Sequence, residues 1–361
     1  MKDERENTNL CDFEGGDKKC AKQRTTGLDI IRSCAILFVI AGHFFSLHTS
    51  FRTTNFEGIS MFLQACITPL FSTGVPLFIM MTGYLNANKT VGRKYYRGIG
   101  RVLIAYLFFS LLTLCFKRFY LVEDISLRSM IEQILNFSAI PYAWYIEMWI
   151  GLFLLTPFLN MLYKAIPTSK QKILWIGTLF VMTALPDLFN RYGLHLLPGF
   201  WQGCYPLMFF FIGSYIREYQ PKMRYVCSCL VIIGCCLINP VFNLLFIRNH
   251  TLISIGGGFA GVFGTMIAVT FFLLLYQLNV GNSVIKNVFT KVSLLSLDIY
   301  LCCYIFDAIY YPWFKDHYFV NQSQFGTFFF VIVPLVFVSS YLLAYLKDFL
   351  FRIFKIERLW N

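Results

Sequence analysis

The hydrophobic positions of this chain gather into long unbroken runs rather than alternating or forming narrow stripes. Ten stretches stand out, near 28–48, 59–85, 102–120, 144–163, 173–189, 204–217, 224–247, 253–278, 294–312 and 326–346. A helix of about 20 apolar residues crosses ~30 Å of hydrocarbon. The pattern therefore predicts an all-α fold, a polytopic membrane helix bundle with about ten transmembrane helices. The sixth stretch is the shortest. The second is long and carries Pro69 and Pro76, so a break or kink is expected within it.

Composition agrees. Only 14% of residues are charged and 57% are hydrophobic, against roughly 25% charged in soluble domains. Charge then orients the bundle. With the N-terminal tail inside, the inside segments hold 23 Lys and Arg and the outside loops hold 7. Positive residues favour the cytoplasmic side, so both termini are expected in the cytoplasm. The net charge of +12 is then mostly cytoplasmic anchoring. No soluble basic domain exists to carry nucleic-acid binding.

Residues 1–26 read as a disordered cytoplasmic tail, 27–350 as one membrane domain and 351–361 as a cytoplasmic C-terminal tail. The first 26 residues lack the apolar core and cleavage site of a signal peptide. Ten of the twelve Cys fall in predicted spans, where they act as small hydrophobes. No Cys and His spacing suggests a metal site. The loop near 118–143 holds Leu127, Ile131, Ile134 and Leu135 at helical spacing behind Ser126, which predicts a short capped surface helix. Gly256, Gly257, Gly258, Gly261 and Gly264 open the eighth run and suggest close helix packing.

Ionisable groups inside spans are expensive and are functional candidates by default. Asp29 and Arg32 sit near the cytoplasmic end of the first span, and His43 lies eleven residues beyond Arg32. Eleven residues at ~100° each bring the two onto one helix face, ~16 Å apart along the axis. Arg suits a phosphate or carboxylate, and a neutral imidazole can act as a general base. Two blander roles stand beside this one. Arg32 can snorkel to the headgroups, and His43 can cap a buried hydrogen-bond network. Arg93, Lys94, Arg97 and Arg101 form a dense cytoplasmic cluster suited to an anionic donor or to anionic lipid. Glu147, at the outer end of the fourth span, is a candidate to orient His43 or hold a sugar. Trp144 and Tyr145 beside it are candidates to stack on that sugar or to form the outer aromatic belt. Asp29 and Asp298 complete the candidate substrate-binding set. Asp307 and His48 lie nearer outside ends and read as solvated or interfacial. No Gly-x-Ser-x-Gly elbow, P-loop or His-Glu-x-x-His motif is present.

Taken together these residues resemble a known family. Gly27-Leu28-Asp29-Ile30-Ile31-Arg32 with His43, the segment Gly74–Leu85, Arg101–Tyr106, Trp144-Tyr145, Leu154–Phe158, Phe209–Gly213 and Ser296–Leu301 follow in order the signature of the acyltransferase-3 family of membrane acyltransferases. The resemblance implies transfer of an acyl group, most often acetyl, from cytoplasmic acyl-CoA to a hydroxyl of a surface glycan. It implies that Arg32 and His43 are the essential pair, and that the cytoplasmic arginines serve the donor's phosphates. The chain departs from the family where Gly98-Ile99-Gly100-Arg101 replaces Arg-x-x-Arg. It departs again where Cys303 and Ala143 stand at positions often held by His. No bound cofactor is implied; acetyl-CoA or another acyl-CoA is a donor substrate. The expected setting is a bacterial cytoplasmic (inner) membrane, with a surface glycan or lipid-linked oligosaccharide as acceptor, lipid as surroundings, and homo-oligomers allowed. The alternative is an exporter or flippase of a polysaccharide or lipid-linked sugar. Such a transporter should show a repeat or paired broken helices, and neither is evident in the sequence.

Overall fold

The computed structural model describes residues 25–190, 195–246, 251–254, 256 and 258–355. The N-terminal tail to residue 24, Gly257 and the last six residues lie outside it. Each of the ten apolar runs contains helix. In chain order the helices are α1 (Thr26–Ser46), α2 (Gly58–Phe71), α3 (Gly74–Asn86), α4 (Arg93–Arg97), α5 (Ile99–Phe119), α6 (Leu127–Leu135), α7 (Trp144–Ala165) and α8 (Ser169–Thr183). They continue as α9 (Pro186–Phe189), α10 (Tyr205–Tyr219), α11 (Tyr225–Phe246), α12 (Val262–Leu275), α13 (Ser283–Tyr318), α14 (Gln322–Phe325) and α15 (Phe329–Ile353). Among the described residues, eight helical stretches are long and apolar enough to cross a membrane; α12 is a shorter apolar helix of 14 residues. The sixth run forms α10, which has 15 residues. The fold is a polytopic membrane helix bundle.

Two helices form its axis. Most of the apolar span of α1 and of α13 is buried within the protein, whereas the peripheral spans bury a third or so of theirs. The outward faces of those peripheral helices carry Leu111, Leu174, Leu230, Phe330 and Leu342, all exposed. In water such a surface would aggregate; in lipid it is the solvated face. At ~1.5 Å per residue, the 36 residues of α13 exceed what a bilayer core needs. The side chain of Asn282 caps it, accepting from the amides of Val284 and Ile285 at 2.9 and 3.2 Å.

The expected break in the second run falls at Ser72–Thr73, between α2 and α3. Pro76 has no amide proton to return to the Ser72 carbonyl, and its ring crowds that group. The Thr73 hydroxyl and amide both return to Leu70 O, at 2.7 and 3.1 Å, closing the end of α2. Just past the break, a Cβ on Gly74 would lie 2.7 Å from Ala35 O and from Val39 Cγ2 of α1. Further along α3, a Cβ on Gly83 would fall about 2.0 Å from Phe210 O of α10, and one on Gly213 about 2.0 Å from Met80 O. The two glycines thus let the α3 and α10 backbones touch from both sides, and this contact anchors the short α10.

Helix α6 forms as expected. Ser126 Oγ accepts from the Ser129 amide at 3.2 Å, and Leu127, Ile131 and Leu135 are exposed on one face. The glycine run before α12 differs from expectation. Gly256 and Gly258 have φ of +53° and +78° and lie in the loop, and helix begins only at Val262. A Cβ on Gly264 would meet Gly258 O at 2.6 Å. These glycines fold a loop back over the start of α12 instead of joining two helices.

Gly213→Leu should drive α10 off α3 and lower thermal stability in detergent by an amount corresponding to about 1–3 kcal/mol or more. Gly177→Leu, with nothing within 4 Å of its Cβ position, should change it little. Fluorescence-detected size-exclusion after a heating series measures both.

Candidate active site

Helix α1 carries Arg32 and His43 on one face as predicted, and Val39 lies between them at spacings of seven and four. Two cavities open along that face. The first, of about 320 Å3, is lined by Arg32, Arg101, Asn86, Tyr145, Ser296 and Tyr300 among others. The second, of about 510 Å3, is lined by His43, His48, Arg52, Tyr142, Trp144 and Tyr304 among others. Val39 and Val75 belong to the walls of both. The cavities therefore meet where α3 presses on α1 at Gly74.

The second cavity ends on a polar cluster that sequence reading placed at an interface. Asp307 of α13 is fully buried. Its Oδ2 lies 3.6 Å from His43 Nδ1 and 3.3 Å from His48 Nε2. The same oxygen accepts from the Tyr142 hydroxyl at 2.8 Å. Having spent its proton on Asp307, Tyr142 accepts from His48 Nε2 at 2.5 Å, which puts the His48 proton on that nitrogen. Burial, with the Asp307 charge beside it, pushes the Tyr142 hydroxyl far above the usual phenol range and keeps it a donor. Tyr142 itself is pinned, because the Tyr300 hydroxyl donates to its carbonyl. The His43 ring lies against Tyr142, centroids 3.9 Å apart, and His48 stacks on Tyr311 at 4.2 Å.

His43 Nδ1 is enclosed, so the 13% of this side chain that is exposed belongs to the rest of the ring. An imidazole held with one nitrogen toward a buried carboxylate and its other edge toward a cavity is arranged for proton transfer. Cys303 Sγ joins this cluster: ligand atoms of His43, Cys303 and Asp307 all lie within 4.8 Å of one another. A soft divalent cation could use such a donor set. The spacing along the chain hides it, because His43 is brought in from another helix.

Arg32 and Arg101 share the first cavity with Tyr145, which is buried and packs edge-on against Tyr300 at 5.6 Å. Trp144 turns to the second cavity and stacks on Phe259. Arg93, Lys94 and Arg97 are exposed on α4. That short helix is held by a backbone defect. Pro157 cannot donate to Phe153 O, and the Tyr95 hydroxyl donates to it instead at 2.8 Å, with the Tyr95 ring stacked on Phe153 at 4.4 Å. Glu147 is exposed and is not among the residues lining either cavity. Asp29 is buried and accepts from Thr290 Oγ1 at 3.1 Å, joining α1 to α13. Asp298 forms a buried ion pair, both oxygens 3.0 Å from Lys347 Nζ of α15.

An all-helical bundle with lipid-facing flanks, two adjoining cavities and a buried His–Asp pair at the end of one of them defines a membrane-embedded enzyme. Residues 25–346 match the family model described as an acyltransferase domain, and the chain belongs to the acyltransferase-3 family. It is a multi-pass membrane acyltransferase. No curated protein and no solved structure matches the chain.

Tyr142→Phe removes a hydrogen bond to a buried carboxylate. It should lower stability by about 1–3 kcal/mol, whatever its effect on activity. Thermal unfolding in detergent beside Tyr310→Phe, whose hydroxyl meets the neutral Ser339 Oγ, gives the comparison.

Proposed function

We propose that the protein is an O-acyltransferase of the bacterial inner membrane that moves an acyl group, acetyl above all, from cytoplasmic acyl-CoA to a hydroxyl of an envelope polysaccharide or lipid-linked glycan. The observation that carries this reading is the pair of cavities meeting at Val39 and Val75, one lined by Arg32 and Arg101 and the other by His43, behind which Asp307 is buried. In this reading both termini and the Arg32 end of α1 face the cytoplasm. The first cavity, small among ligand pockets, takes the slender thioester arm of the donor. Its phosphates rest on Arg101 and on Arg93, Lys94 and Arg97 of the α4 surface, where guanidinium groups pair well with phosphate.

The acceptor sugar enters the second cavity past Arg52 and Trp144. His43 takes the proton of its hydroxyl as the oxygen attacks the thioester carbonyl. Asp307 stabilises the imidazolium so formed, as a buried carboxylate does beside a general-base histidine. The proton then leaves with the CoA thiolate. His48 and Tyr142 position Asp307 through the oxygen they share. Arg32, on the donor side of Val39, offers its charge to the donor arm.

His43→Ala and Arg32→Ala should each lower acetyl transfer roughly 100-fold or more while the protein still inserts and runs as a single species. The readout is ester-linked acetyl on envelope glycans, by mass spectrometry of cells carrying each variant. Near-normal acetylation in His43→Ala would sink the mechanism.

A further inference from the structure

One nucleophile in the site has no part in the direct mechanism above. Cys303 is completely buried on α13. Three residues before it, Tyr300 lines the first cavity; one residue after it, Tyr304 lines the second. The thiol is therefore carried at the level where the two cavities meet. Its Sγ lies within 4.8 Å of a His43 nitrogen and of an Asp307 oxygen. Asp307 Oδ1 is fully buried and has no hydrogen-bond partner among the described residues, so the carboxylate keeps an open acceptor inside this cluster. A thiol, an imidazole and an orienting carboxylate within 4.8 Å of one another are the parts of a cysteine nucleophile with its base, one thiol rotation short of engagement.

We propose that Cys303 is a catalytic residue that carries the acyl group as a thioester between the donor cavity and the acceptor cavity. The proposal rests on the acyl-CoA reading above and deepens it. In the first half, the thiol swings off Tyr300 O, to which it donates at 3.2 Å. His43 takes its proton, and the thiolate attacks the acyl-CoA carbonyl carbon. The bond from that carbon to the CoA sulfur breaks, and the CoA thiolate leaves with the proton from His43. In the second half, His43 takes the proton of the acceptor hydroxyl and the oxygen attacks the Cys303 thioester. The carbon–sulfur bond breaks, and the proton returns to the Cys303 thiolate. One thioester and one alcohol become one ester and one thiol, with no oxidant, reductant or net proton. Exchange between two thioesters is close to neutral in energy, so the relay asks for little driving force. It also relieves the bundle of exposing the CoA thioester and the glycan to each other directly.

The test uses the full chain in lipid nanodiscs with radiolabelled acetyl-CoA and no acceptor, quenched in acid and mapped by peptide mass spectrometry. The expected result is one hydroxylamine-labile acetyl group on Cys303, absent in Cys303→Ala and in His43→Ala. Cys303→Ala should also lose transfer to the glycan in cells by roughly 100-fold, while still binding acetyl-CoA and eluting as wild type. Cys303→Ser, which keeps the volume, guards against a packing defect and should accumulate a hydroxylamine-resistant acetyl ester. Glycan acetylation within twofold of wild type in Cys303→Ala overturns the relay and leaves the acyltransferase reading standing. If wild type neither binds acetyl-CoA nor acetylates glycan, the acyl-CoA reading itself fails and the relay falls with it. One equivalent of tightly bound metal, lost in Cys303→Ala, would assign the cluster as a metal centre and also overturn the relay.

Discussion

A carboxylate enclosed in a membrane protein is the constraint on which this structure turns. Burying an unpaired charge costs far more than a fold of this kind has to spare. Asp307 is buried completely. It is tolerable because Tyr142 donates to it and two histidines crowd the same oxygen. Those three groups come from α1, from the turn after it and from the segment just before α7. Satisfying one charge therefore fixes the relative depth of α1 and α13 and brings the start of α7 onto them. The aromatic packing around it, His43 against Tyr142 and His48 against Tyr311, holds the rings in the orientation the charge needs. The same α1–α13 seam is fastened at its other end by Asp29 and Thr290.

Around that axis the backbone is shaped by residues that lack something. Pro157 lacks a donor, and the Phe153 carbonyl it leaves open is where Tyr95 docks. A motif in the middle of a predicted span thus serves to seat a basic surface helix far along the chain. Gly83 and Gly213 lack a Cβ, and α3 and α10 meet where it would have been. Gly74 allows the same closeness between α3 and α1, beside Val39 and Val75. Where glycines meet a neighbouring backbone, packing distance adds to these polar contacts in holding helices together.

Much of this was legible in the sequence. Ten apolar runs gave helix in the right order because length and composition alone decide helix formation in lipid. The break at Ser72–Thr73 followed from proline chemistry, and the cap at Ser126 from its side chain. The face shared by Arg32 and His43 is local arithmetic. Asp307 was misjudged because a depth estimate from one end of a span says nothing about which helix faces it. A signal was present: His43 and Asp307 each lie five residues from the outer end of their predicted runs, 28–48 and 294–312, and so at one depth. Two ionisable residues at equal depth in separate spans are natural partners. Glu147, read as an orienting group for His43, is exposed outside both cavities, and Asp307 occupies the place beside the imidazole. The glycines before α12 misled because Gly-x-x-x-Gly spacing describes a helix pair and a folded loop equally well.

The two cavities sharpen what a membrane enzyme of this kind has to arrange. Arg32 and Arg101 lie on one side of Val39 and Val75, and His43 with Asp307 on the other. In the proposed reading, Arg32 and Arg101, which suit a polyanionic donor, are thereby set apart from the histidine that takes the acceptor's proton. At ~16 Å of helix the separation is several times the contact distance at which such charges compete strongly. A single water-filled passage would also let the donor thioester hydrolyse. In the proposed reading, two pockets divided by Val39 and Val75 keep the arginines on the donor's side and His43 on the acceptor's side, with the buried Cys303 at the level where an acyl group has to pass.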